Sequence, residues 1–186
     1  MMFLALLLSA AAPQSCGYDR AVLMALDEDA FDQDPKGGWR SLSDRKCYAE
    51  AADIVRAYRE ARRRKRPSIL FWHEGQLRAL LGQTDAAVAL FDAAREPLAT
   101  DGVGWNIYVD GSIAFLKHDR AGLQKARDTL AKLPRPKGLG PGRFKAKQIT
   151  IPWPPNLDVL DGFLKCFTRS YAEAYGSERC SVPDRR

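Results

Sequence analysis

The stretch from Ile69 to Arg95, ILFWHEGQLRALLGQTDAAVALFDAAR, constrains this chain more than any other. Leu70, Leu77 and Leu81 recur on one helical face, and Ala87, Leu90, Phe91 and Ala94 recur on a second. Gly82 stands between them, so the spacing predicts two helices folded back to back across a turn at Leu81–Asp85. Neither helix can bury its apolar stripe alone, and the pair must pack on itself and then on neighbours. A later stretch repeats the plan. Trp105 to Lys117 is apolar on nearly all sides, through Trp105, Ile107, Tyr108, Val109, Ile113, Phe115 and Leu116. Its partner, about Ala121 to Leu133, carries the stripe Leu123, Ala126, Leu130 and Leu133.

The order of small and large residues in the first hairpin resembles a tetratricopeptide repeat. Phe71 stands at the aromatic position, Gly75 at the small position of the first helix and Gly82 in the turn, with Ala87, Phe91 and Ala94 as the small-large-small contacts of the second helix. Upstream, Asp44 to about Arg64 reads as a long helix with Tyr48, Ala51, Ala52, Val55, Tyr58 and Ala61 inward, and Tyr58 and Ala61 echo Phe91 and Ala94. The resemblance implies an all-α fold of antiparallel hairpins, about two and a half repeats, fewer than the three or so that usually hide the ends of such an array. Caps are therefore expected. Asp19 to Phe31 supplies an N-terminal helix with Asp19 as N-cap and Val22, Leu23 and Leu26 inward. Asn156 to Gly176 supplies a C-terminal capping helix with Leu157, Leu160, Leu164, Phe167 and Tyr171 on one side. Between the last two helices, Pro134 to Pro155 is a linking arm in which Gln148–Ile151 runs extended.

From about Gly17 to Cys180 the chain is also similar to small exported bacterial proteins of unassigned role with tetratricopeptide-like helices, on the strength of Trp72-His73-Glu74-Gly75-Gln76 and Tyr108-Val109-Asp110. This resemblance implies a binding style rather than a reaction. In a tetratricopeptide array the first helix of each repeat lines the concave face, which places Trp72 and Gln76 there. Asn106 and Asp110 follow in the next repeat if Trp105 matches Phe71, whereas aligning the turns at Gly82 and His118 gives Tyr108 and Ser112 instead. Trp72 is the preferred anchor; the alternative is that Phe71 and Trp72 are both core.

The N-terminus, MMFLALLLSAAAPQSC, has the short apolar run and small-residue cleavage region of an export signal, covering residues 1–15 and leaving a single domain over 16–186. The segment is too short to span a bilayer, and a buried N-terminal helix is the alternative. Four cysteines, Cys16, Cys47, Cys166 and Cys180, follow the signal as an even set with no C-x-x-C pair. Export to the periplasm or beyond, with disulfides, fits them better than zinc or thiol redox chemistry. Three pairings are open. Cys16 with Cys47 and Cys166 with Cys180 is preferred, since each brackets one end of the chain; free buried thiols and lipid attachment at Cys16 are the alternatives.

The net charge of +6 is uneven, with a dense run at Arg62-Arg63-Arg64-Lys65-Arg66. The run lacks interleaved aromatics, so an anionic surface of the envelope is a better partner than nucleic acid. Catalytic signals are few. His73-Glu74 opens an H-E-x-x-H pattern, but Leu77 stands where the second histidine belongs. Asp27 to Asp34 lacks the glycine and terminal glutamate of a calcium loop and reads as a solvated helix end. Nucleotide, dinucleotide and serine-nucleophile patterns are missing, so neither cofactor nor metal is expected. A hydrolase built on a buried Glu74 and Asp110 pair is the second function carried forward. It stands behind an exported protein-binding or assembly module of the bacterial cell envelope.

Overall fold

The computed structural model describes residues 16–62, 68–137, 142–144, 147–149 and 152–181. The expected signal over residues 1–15 and Arg63–Arg66 of the basic run lie outside the described residues. The chain is helical. In order come α1 (Arg20–Ala25), a π-helical turn (Asp29–Gln33), α2 (Arg40–Asp44), α3 (Tyr48–Ala61), α4 (Ser68–Leu80), α5 (Thr84–Ala93), α6 (Trp105–Leu116) and α7 (Arg120–Ala131). A small antiparallel ladder of β1 (Gly142–Phe144) and β2 (Lys147–Ile149) precedes α8 (Leu157–Lys165) and α9 (Tyr171–Ala174).

The hairpins α4/α5 and α6/α7 are built alike. Gly82 and His118 both adopt positive φ, 72° and 55°, directly after the first helix of each pair. In both, the helix end closes with the same two hydrogen bonds. Gln83 N donates to Arg78 O and Gly82 N to Ala79 O, while Asp119 N donates to Ala114 O and His118 N to Phe115 O. Gly75 and Gly111 stand at matching places, both pairs of positions being 36 apart (111 − 75 and 118 − 82). A Cβ on Gly75 would lie 2.6 Å from Phe91 Cδ1, and one on Gly111 would lie 2.6 Å from Leu160 Cδ2 and 3.3 Å from Ala126 Cβ. Only a glycine lets the neighbouring helix come so close. The turns therefore set the register: Tyr108 and Ser112, not Asn106 and Asp110, correspond to Trp72 and Gln76.

Two apolar clusters make the core, and α4 feeds both. Leu70 and Leu77 join Phe31, Leu42, Ile54, Val55 and Tyr58 on the N-terminal side. Trp72 and Ala79 join Phe91, Tyr108, Phe115, Leu160, Phe163 and Tyr171 on the C-terminal side. A helix flanked on both sides must be apolar nearly all round, which explains why seven of its residues are buried.

Several boundaries differ from the expected ones. The first helix stops at Ala25, with Asp19 capping Val22 N as expected, but Val22 is exposed and the chain re-enters as the separate π-helical turn. The helix read from Asp44 is interrupted by Lys46 at φ 61°, so α2 and α3 are distinct and Ala61 ends exposed. Asn156 is left-handed and makes no side-chain cap. The capping helix breaks after Lys165, because Ser170 and Glu173 form a capping box that starts α9 afresh; Gly176, at φ 68°, then ends it.

Both disulfides are present, Cys16–Cys47 and Cys166–Cys180, each with Cα atoms 5.6 Å apart. The first ties the segment ahead of α1 to the beginning of α3, and the second closes a loop around α9. Among the described residues no helix is long and apolar enough to cross a bilayer.

Candidate functional site

Asp32, on the π-helical turn, has no exposed surface. An isolated carboxylate there would be strongly disfavoured, and the fold surrounds it with donors. Trp39 Nε1 donates to its Oδ1 at 2.8 Å, Gln33 Nε2 donates to its Oδ2, and Arg40 Nη1 lies 3.6 Å away. His73 Nδ1, on α4, sits 2.7 Å from Oδ1. Burial pushes the Asp32 carboxyl up, but the His73 contact, the Trp39 hydrogen bond and the Arg40 charge outweigh it, so the pKa is held below the ordinary carboxylate value. An ionised carboxylate only accepts, and the Nδ1 of His73 must therefore carry the proton. Arg40 lies over the Trp39 ring at 4.3 Å. Desolvation pulls its own pKa down against the opposing pull of Asp32.

A carboxylate aligning an imidazole is an arrangement found at general-base sites. Here the pair is packed rather than open: His73 is 9 % exposed. The clefts described on the surface lie elsewhere, one between α6 and α7, one between the hairpin turns and α9, and two beside the Cys166–Cys180 loop. The cluster's evident work is to pin the N-terminal turn to α4. Sequence reasoning placed Asp32 in a solvated acidic loop; the available signal was the nearby Trp39 and a lone histidine on an apolar helix.

The residues expected to act are separated. Glu74 is buried and its Oε2 accepts from both Nη2 and Nε of Arg59, at 2.7 and 3.2 Å, which joins α3 to α4; Arg78 lies 3.9 Å from its Oε1. Asp110 is exposed and pairs with Arg95 at 2.7 Å. The alternative in which a buried Glu74 and Asp110 meet in a pocket is thus corrected, since each carboxylate pairs with a different arginine and Asp110 is exposed. Trp72 is corrected as well. It is 4 % exposed, stacked on Phe91 with centroids 4.2 Å apart and edge-on to Trp105 at 4.8 Å, because α4 has neighbours on both flanks. Asn106 does not line a groove either. Its amide clamps the backbone of Glu96, Oδ1 accepting from the N–H at 3.0 Å and Nδ2 donating to the C=O at 2.8 Å. Gln76 is half-buried beside Tyr171 and Tyr175, which the C-terminal segment brings across α4. The face expected to be open is covered there by the chain's own C-terminal segment.

One of the open clefts lies between α6 and α7. Ile107, Ile113, Ala114 and Ala126 line it together with Asp110, Asp119, Lys117 and Lys125. Arg62, first of the basic run, turns inward: its guanidinium donates to the carbonyls of Met24 and Leu26 and lies 3.5 Å from the Tyr58 ring centroid. Among the described residues, Cys16, Cys47 and Glu50 gather as a metal-ligand set would, but the two sulfurs are joined and offer no thiolate. Comparison of the chain with protein-family models, with curated proteins and with solved structures finds no match.

Proposed function

We propose that the chain is an exported binding or assembly module of the bacterial cell envelope, built on a tetratricopeptide-like helical scaffold. The observation that carries this reading is the 36-residue recurrence of the two hairpins, with matched glycines and matched helix ends, since stacked helical repeats are interaction scaffolds rather than catalytic folds. Export is supported by the two disulfides, which persist in oxidising compartments, and by the signal-like residues 1–15. Because Trp72, Gln76 and Asn106 are engaged internally, the binding surface moves to the α6/α7 cleft, where Asp110 and Lys125 stand among apolar side chains. Its chemistry suits a peptide segment of mixed charge with an apolar anchor. The basic residues Arg63–Arg66 add attraction for an anionic surface.

The test is capture from an envelope fraction with a photoactivatable residue at Lys125, followed by identification of the joined protein. One defined partner, lost on Lys117→Glu in a variant that melts normally, is the expected result. Recovery of the same partner by a chain carrying the photoactivatable residue at Val22 alone would end the assignment of this cleft.

A further inference from the structure

We propose that the cleft between α6 and α7 receives one amphipathic α-helix of a partner protein, laid along the face of α6 that corresponds to the face of α4 covered by α3. This rests on the binding-module reading and names the conformation and chemistry of what the cleft takes. The 36-residue recurrence reaches back to α3 and fixes which surfaces correspond. Thr84, the first residue of α5, lies 36 positions after Tyr48, the first of α3. Arg59 on α3 bonds Glu74 on α4, and Arg95 after α5 bonds Asp110 on α6, both partners displaced by 36 (95 − 59 and 110 − 74). The face of α4 that holds Phe71, Glu74, Leu77 and Arg78 thus matches the face of α6 that holds Ile107, Asp110, Ile113 and Ala114.

On α4 that face is covered by a helix. The Arg59 guanidinium lies 4.0 Å from the Phe71 ring centroid, and Asp53 accepts from Arg78 at 2.6 Å. Leu77 is 1 % exposed and shares a cluster with Ile54, Val55 and Tyr58 of α3. On α6 the same face is left open. α5 ends at Ala93, a turn short of α3, whose last residue, Ala61, corresponds to Pro97. Asp53 and Arg78 correspond to Ala89 and Ala114, so the ion pair has no counterpart. Asp110 keeps 57 % of its side chain in solvent against 4 % for Glu74, and Ile107 and Ile113 stay half-buried. The other wall of the cleft comes from α7, with the small Gly122 and Ala126 and the exposed Lys125.

The lining favours a helix over an extended peptide. An extended chain must have its N–H and C=O groups met by a sheet edge or by side-chain amides, and the cleft presents neither a strand nor an Asn or Gln. A helix satisfies its own backbone and needs only an apolar stripe for Ile107 and Ile113. Charge adds a second requirement. Of the charged lining groups, Asp110 is bonded to Arg95 and Asp119 caps Gly122 N, whereas Lys117 and Lys125 are exposed and have no carboxylate partner among the described residues. The sequence of α3 has the matching plan: Ala51, Ala52, Ile54 and Val55 turn inward, with Asp53 at the rim. A helix of that kind brings its carboxylate to the two lysines.

The probe is a synthetic peptide with the sequence of α3, Tyr48–Ala61, carrying Arg59→Ala because Arg95 already holds the corresponding place on Asp110. It is added at up to about 1 mM to the purified full chain, since so short a helix is only marginally formed when free. Amide shifts of the chain and Cα shifts of the peptide are read by NMR. Shifts confined to α6 and α7, helical Cα shifts in the bound peptide, and affinity lowered at least about fivefold by Lys125→Glu are expected. That variant melts as the parent does, because Lys125 is exposed. No shift at this concentration, shifts centred on α4, an extended bound peptide, or unchanged affinity in Lys125→Glu each overturns the proposal. Concentration-dependent shifts of the same residues before peptide is added overturn it in favour of a second copy of the chain. Capture of an envelope partner is read separately: if none is captured while the peptide binds as a helix, the envelope reading falls and the helix assignment stands.

Discussion

Replacing Asp32 by Asn tests the buried cluster with the smallest change of shape. The amide oxygen can still accept from Trp39, but the charge facing Arg40 and His73 is gone. Breaking a fully buried ion pair by removing one partner costs about 3–5 kcal/mol. Arg40 keeps a quarter of its side chain in solvent, so a loss of about 2–3 kcal/mol is expected here, with a fall in melting temperature of about 4–12 °C for a chain of this size. The sign with pH is fixed by the direction of the shift. The folded-state pKa of Asp32 lies below its ordinary value. Its contribution is therefore present above about pH 4 and is lost as pH falls through the folded pKa. Thermal melts of the two chains should differ fully at pH 7 and converge in strong acid, where Asp32 itself becomes neutral. A gap under about 2 °C at pH 7, or one that persists undiminished at low pH, would show that the charge of Asp32 does not organise this cluster.

Trp72→Ala should remove about 3–5 kcal/mol, measured by denaturant unfolding, since the indole is packed among Phe91, Trp105 and Tyr108; near-normal stability would return Trp72 to the candidate binding residues. Tyr171→Phe should be neutral or raise stability by up to about 1 kcal/mol, because its buried hydroxyl has no hydrogen-bond partner. Removing Cys16–Cys47, which spans 31 residues, should cost about 3–4 kcal/mol, and removing Cys166–Cys180, which spans 14, about 3 kcal/mol. A reversed order would mean that strain or residual structure outweighs loop entropy.

Periodicity made α4 to α7 legible, because a stripe at three and four residue spacing must find a partner wherever the helix lies. The same signal overran at both ends. The helix read from Asp44 begins four residues ahead of α3, across the positive φ of Lys46, and the C-terminal stripe continues through Phe167 although the Ser170–Glu173 capping box restarts the helix as α9. The second break was written in the sequence as Ser-x-x-Glu; the first has no such mark in the sequence. Cysteine spacing favoured the two bridges that form, since local pairing leaves the middle of the chain uncrossed. The function of single polar residues was least legible. Trp72 and Gln76 are placed on an exposed face only if nothing covers α4, but Trp72 is covered by side chains of α5 and α6 and Gln76 by the segment of α9, which lies far along the chain. Asp32 and His73 meet across 41 positions, a distance over which helical spacing carries no information.

The ion pairs show how the helices hold their order. Arg59–Glu74 joins α3 to α4, Arg95–Asp110 joins the end of α5 to α6, and Arg127–Asp161 joins α7 to α8 at 2.6 Å. Asp32–His73 joins the N-terminal turn to α4. Each links elements that follow or face one another, so the charges index which helix lies beside which, while the apolar clusters supply most of the stabilisation. The two disulfides fasten the segments at either side, Cys16 to the start of α3 and Cys180 to the end of α8. Substitutions at exposed positions clear of these ties, such as Lys117 and Lys125 on the α6/α7 cleft, leave the packing as it is. Substitutions on α4, by contrast, touch both core clusters at once and should report on folding before they report on binding.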